Sequence, residues 1–156
     1  MSTENPLEPR FIADVMVGRL ARWLRILGFD VLYSNRFEDA EVIRIAGAEG
    51  RIILTRDRSI RDSVPAQSLI FVEHNDLKSQ IAQVLQKIGP REFRPFSRCV
   101  ECNTALQPVN KDDVFERIPH YVYFTQDQFA ECPSCRRVYW RGTHTDAIQK
   151  KLQWYH

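Results

Sequence analysis

No apolar run in this chain approaches the roughly 20 residues that span a bilayer, so no membrane-spanning helix is expected. Glycine is scarce, six in 156 residues. No glycine-rich loop follows any expected strand, which disfavours nucleotide-binding Rossmann and P-loop folds. The N-terminus, MSTENPLEP, is polar and proline-containing and reads as neither a secretory signal nor a transit peptide, so a cytoplasmic protein is expected. Charge of one sign is lacking as well. The net charge is +2, and the parts before and after Pro95 carry 14 basic against 13 acidic and 8 against 7 residues. Any case for nucleic acid must therefore be local. There is no internal repeat and no low-complexity tract. The length suits one ordinary domain, or one small domain plus a metal-stapled module.

The stretch FIADVMVGRLARWLRILGFDV, residues 11–31, organises what is there. A short apolar run ends at a carboxylate, Asp14. A helix of about Val17 to Leu27 follows, with Leu20, Trp23, Leu24 and Leu27 on one face. Arg19, Arg22 and Arg25 form a second stripe, either a surface for nucleic acid or a solvated flank, and Gly28 is placed to stop the helix. Strands are expected at about Arg10–Ala13, Asp30–Tyr33, Arg51–Thr55 and SLIFV. Helices are expected around Val42–Ala46, closed by Gly50, and over DLKSQIAQVLQKI. SIRDSVPAQ reads as a loop or short turn. Alternation of this kind argues for an α/β fold with a parallel sheet covered on both faces. PREFRPFSRC then reads as a linker, so the expected organisation is a loose tail over 1–9, an α/β domain over 10–95 and a cysteine-bearing module over 96–156 with a C-terminal helix in DAIQKKLQWY.

Two constellations carry chemistry. Cys99/Cys102 and Cys132/Cys135 are two Cys-x-x-Cys knuckles with 29 residues between them. Together they supply four thiolates for a closed structural zinc site of zinc-ribbon type. Two disulfides are the alternative, disfavoured without a secretory signal. His120 and His144 are competing ligands better read as ordinary hydrogen-bonding residues. The cations Arg136, Arg137 and Arg141 beside Tyr139 and Trp140 suit RNA contact, or the aromatics pack inside the module. The second constellation is acidic. Asp14 and Asp57 stand at strand ends and Asp39 at a helix start, so three βα connections bring carboxylates to one rim, where the working crevice of a parallel sheet lies. Clustered carboxylates call for Mg²⁺ or Mn²⁺, with Glu38 and Glu41 as auxiliary acids. Each acid also has a plainer role, Asp39 as a helix cap and Asp57 as a turn initiator. Arg56 and Arg58 flank Asp57 and are candidates for guiding a phosphate backbone.

These runs, with D-x-E at Asp39 and Glu41, ILTRDR, and a ribbon ending in VYWRGTH, resemble the Mut-seven C-terminal ribonuclease family over roughly Arg10 to Leu152. The resemblance implies a PIN-like three-layer α/β/α domain followed by a zinc ribbon. It also implies metal-dependent hydrolysis of RNA, single-stranded or structured, by strand-end acids, which by position are Asp14, Asp39 and Asp57. The ribbon ligands are Cys99, Cys102, Cys132 and Cys135. Val15 stands where that family is expected to have glycine. The rival classes are a non-catalytic RNA- or protein-binding module and, less compatible with the cysteines, a phospho-receiver domain.

Overall fold

The computed structural model describes residues 7–141 and Lys150. The expected C-terminal helix, apart from Lys150, and His144 lie outside them. The chain forms two compact units, one ending at Asn103 and the other beginning at Thr104. Among the described residues no helix is long and apolar enough to cross a membrane.

The first unit runs β1 (Leu7–Ala13), α1 (Gly18–Leu27), β2 (Phe29–Tyr33), α2 (Asp39–Glu49), β3 (Ile52–Thr55), α3 (Arg58–Ser63), β4 (Leu69–Phe71) and α4 (Leu77–Ile88). The four strands are parallel in the order β2-β1-β3-β4. Right-handed crossovers decide the layers. The step from β1 to β2 runs one way across the sheet and the steps β2 to β3 to β4 run the other, so α1 goes to one face and α2 with α3 to the opposite one. Side-chain parity agrees. Ile12 and Ile53 join Val42 and Ala46 of α2 and Ile60 of α3 in one core cluster. Phe11 and Leu54, of opposite parity, are fully buried outside it, and Phe11 meets Phe29 edge-on at 5.4 Å between ring centroids. The chain reverses direction across the sheet between β1 and β3, which makes their carboxyl ends the topological switch point.

Two elements differ from the sequence expectation. SIRDSVPAQ contains a helix, α3, with Asp57 as N-cap accepting from Ser59 N at 2.8 Å and with Ile60 buried. Six residues are too few to display a helical period. PREFRPFSRC caps α1 rather than running free. Arg94 N donates to Leu27 O at 2.9 Å and Phe96 N to Ile26 O at 3.0 Å, which satisfies carbonyls that a helix end leaves open. Gly28 permits this approach. Its φ is 107°, and a Cβ there would stand 2.5 Å from Arg94 O.

A buried ion pair holds the edge of this unit opposite the switch-point rim. Arg51 Nη1 donates to Asp30 Oδ1 at 2.8 Å and to Phe11 O at 3.0 Å, and Asn103 Nδ2 donates to the same carboxylate at 2.6 Å. Burial would raise the Asp30 pKa, but the hydrogen bonds from Arg51 and Asn103 outweigh it and hold the group below the usual carboxylate range. Asp30 therefore stabilises the fold above its unfolded pKa of about 3.9, and loses that contribution as pH falls through the lower folded value. Asp30→Ala, which leaves Arg51 buried without its bidentate partner, is expected to cost about 3 kcal/mol at pH 7. Urea melts of parent and variant at pH 7 and pH 3 check this, since the gap should narrow at the lower pH.

In the second unit β5 (Gln107–Val109), β6 (Phe129–Glu131) and β7 (Val138–Trp140) form an antiparallel sheet in that order. Between β5 and β6 lie a 3₁₀ segment, Lys111–Arg117, and α5 (His120–Thr125). Val114, Ile118, Val122 and Phe129 are the buried centre, with Trp140 packed against them.

Candidate active site and four-cysteine centre

Asp14 directly follows β1, and its backbone N continues the sheet by donating to Leu54 O at 3.0 Å. Its side chain is inward, the residue being 3% exposed. One carboxylate oxygen accepts from Met16 N at 2.8 Å and the other from the Thr55 hydroxyl. Thr55, fully buried at the end of β3, also accepts from Asp57 N at 2.9 Å. One hydroxyl thus fixes the Asp14 carboxylate and the backbone of Asp57 together. Asp57 accepts from both Ser59 N (2.8 Å) and Ser59 Oγ (2.7 Å), which hold its carboxyl below the usual range.

Asp39, the first residue of α2, feels the charges of Asp57 and Asp14. Loss of hydration, then the charge and hydrogen bond of Asp57, then the charge of Asp14 push its pKa up. The carboxylates acting on Asp39 are Asp57 and Asp14. Glu38 is the N-cap of α2 and Glu41 lies in its first turn, both exposed. Thr55 and Ser59 were not singled out from sequence. Thr55 reads as a strand residue, although its place two positions before Asp57 on an expected strand end was the available signal.

The arginines divide. Arg19 and Arg58 are exposed and make no ion pair among the described residues. Arg22 pairs with Glu101 at 2.8 Å, and Arg56 donates to His74 O and to Asn75 Oδ1. Arg25 departs from the nucleic-acid-facing expectation, being 6% exposed and donating to Val31 O (2.9 Å), Val100 O (2.8 Å) and Glu101 O (3.3 Å). Residues three apart on a helix drift by about 60° per step, so the third arginine of the series turns off the solvent face. Its role is to hold the first cysteine knuckle. Arg136 and Arg137 are exposed, Arg136 pairing with Glu131 at 3.2 Å, and Arg141 is exposed. Trp140 belongs to the small core, 6.4 Å from Phe129 between ring centroids.

Cys99, Cys102, Cys132 and Cys135 present sulfurs that all lie within 4.8 Å of one another. A sulfur tetrahedron around zinc at about 2.3 Å has edges of about 3.8 Å, so the quartet fits the ion with a small contraction. The knuckles repeat one turn. Cys102 N points at Cys99 Sγ (3.4 Å) and Cys135 N at Cys132 Sγ (3.5 Å). The residues that follow, Asn103 and Arg136, have φ of 65° and 68°. Asparagine tolerates that conformation and arginine does not. Arg136→Gly is therefore expected to stabilise the zinc-loaded protein by about 1 kcal/mol, read as a higher melting temperature, since the exposed pair it removes contributes little. Among the described residues this quartet is the group of three or more candidate ligands gathered within 4.8 Å. Asp14, Asp39 and Asp57 are less tightly drawn.

An α/β domain with acids at its strand ends is thus joined in one chain to a four-cysteine module. The chain belongs to the Mut7-C RNAse domain family, whose model matches residues 9–152. Neither a curated protein nor a solved structure matches it.

Proposed function

We propose that the chain is a metal-dependent ribonuclease that hydrolyses RNA phosphodiester bonds at Asp14, Asp39 and Asp57. The observation supporting this reading is that Asp14, Asp39 and Asp57 stand at three successive βα connections, with the charges of Asp57 and Asp14 helping to raise the Asp39 pKa. The donor set fits a hard cation, because all three offer oxygens and their mutual repulsion is relieved by positive charge. Bound there, Mg²⁺ or Mn²⁺ would supply Lewis-acid charge stabilisation and an activated water.

The chain's own residues do the rest. Thr55 orients Asp14 and Ser59 orients Asp57, so neither carboxylate needs to reorganise when substrate arrives. The start of α2, at Asp39, offers a partial positive charge to a phosphate oxygen. Arg19 and Arg58, without an ion pair among the described residues, offer cations for the RNA backbone, with Arg22 and Arg56 reachable on release of their present partners. A cleavage assay on single-stranded and structured RNA with Mn²⁺ tests the reading. Absence of cleavage by the parent sinks it.

The second reading, a non-catalytic RNA- or protein-binding module, draws on the looser spacing of the carboxylates relative to the cysteines. It expects equal RNA affinity in parent and acid variants, with no cleavage by either.

A further inference from the structure

The rim beside Asp14 carries an apolar feature that phosphate chemistry does not use. Val15 is 50% and Met16 59% exposed. The other exposed large apolar side chains among the described residues, Phe115, Tyr121 and Phe124, are in the second unit. Single exposed apolar residues need no explanation. Here two are adjacent and directly follow the buried carboxylate.

Their backbone is also fixed. Val15–Val17 is a 3₁₀ turn in which Met16 N donates to Asp14 Oδ1 (2.8 Å) and Val17 N to Asp14 O (3.2 Å). Tyr33, paired in register with Ala13, packs on the same turn at Gly18, where a Cβ would stand 2.7 Å from the phenol oxygen. The turn is thus held by a carboxylate on one side and a tyrosine on the other, while two apolar side chains project into solvent. Holding a surface so firmly lowers the ordering cost of contact with a ligand.

We propose that Val15 and Met16 form a shelf for the nucleobase adjoining the scissile phosphate, so that the enzyme reads the base face as well as the backbone. The inference rests on the ribonuclease reading above. In an RNA chain the group flanking a phosphate by one nucleoside is a ribose with its base, and the base offers the apolar face that such a shelf would cover. Covering roughly 50 Å² of apolar surface is worth about a tenfold gain in binding. Tyr33 and Gly18 are positioning residues that hold the turn.

The test compares cleavage of a short single-stranded RNA in Mn²⁺ with cleavage of the same RNA carrying an abasic ribose at successive positions. The parent is expected to cut beside the abasic position about tenfold less efficiently, through KM rather than kcat. The double variant Val15→Ser/Met16→Ser should lose about tenfold on intact RNA, again in KM, and no longer distinguish the abasic substrate. Met16→Leu, apolar and of similar volume, should keep the parent ratio. An active parent indifferent to the missing base overturns the shelf alone, as does a double variant that retains the parent ratio. A parent inert on every RNA overturns the ribonuclease reading and the shelf together.

Discussion

Asp14→Asn is expected to lower Mn²⁺-supported RNA cleavage by at least about a hundredfold while leaving the melting temperature at or above that of the parent. The fold tolerates the change because the asparagine oxygen can accept from Met16 N as the carboxylate does, and its amide can donate to the Thr55 hydroxyl. What is lost is negative charge at the switch point. That loss also relieves Asp39, whose pKa is raised by desolvation and by the neighbouring charges of Asp57 and Asp14. Greater stability with less activity is the expected behaviour of a site that concentrates like charge for function. Asp57→Asn should behave alike, with a small penalty from weakened capping of α3. Single-turnover cleavage and a thermal melt on the same preparations check both halves. Cleavage by Asp14→Asn at the parent rate would remove the acid from the mechanism.

Cys132→Ser should drop the metal content from about one zinc per chain to almost none and unfold the second unit. Among the described residues the buried apolar centre there consists of four side chains, Val114, Ile118, Val122 and Phe129. A core of that size does not offset the conformational entropy of its chain without a metal. Loss of the Trp140 near-ultraviolet signal, together with elemental analysis, reports the outcome. A variant that keeps its zinc and its Trp140 signal would show that this sulfur is not a ligand. Knuckle residues of the first unit should remain protected from hydrogen exchange longer, because Arg25 and Asn103 hold them by hydrogen bonds that need no ion.

Strand ends were legible in the sequence because a short apolar run that stops at a carboxylate has few other readings, and in a parallel sheet all such ends share a rim. Asp14 and Asp57 were placed on that argument alone. Four cysteines in two pairs were legible for a similar reason, since the spacing itself encodes the turn. What escaped notice depended on partners distant in sequence. Arg25 looked like one of three solvent-facing cations until the carbonyls of Val100 and Glu101 were beside it, 75 and 76 residues away. Thr55 looked like an ordinary strand former, and only its bond to Asp14, 41 residues earlier, gives it a place in the site. The short α3 was hidden by its length. PREFRPFSRC resembled a linker because the hydrogen bonds of an irregular segment have no period to read.

The position of α1 constrains how this protein can be shortened. The ten-residue helix is a rod of about 15 Å with the Asp14 turn at one end and the capping segment of residues 94–96 at the other. Cutting the chain at Pro95 to isolate a minimal catalytic fragment would remove the donor to Ile26 O and the whole of the Cys99–Asn103 turn on which Arg25 closes. A designer should end such a fragment after Asn103, carrying half of the sulfur ligands along, and should expect an orphaned thiol pair prone to oxidation as the consequence.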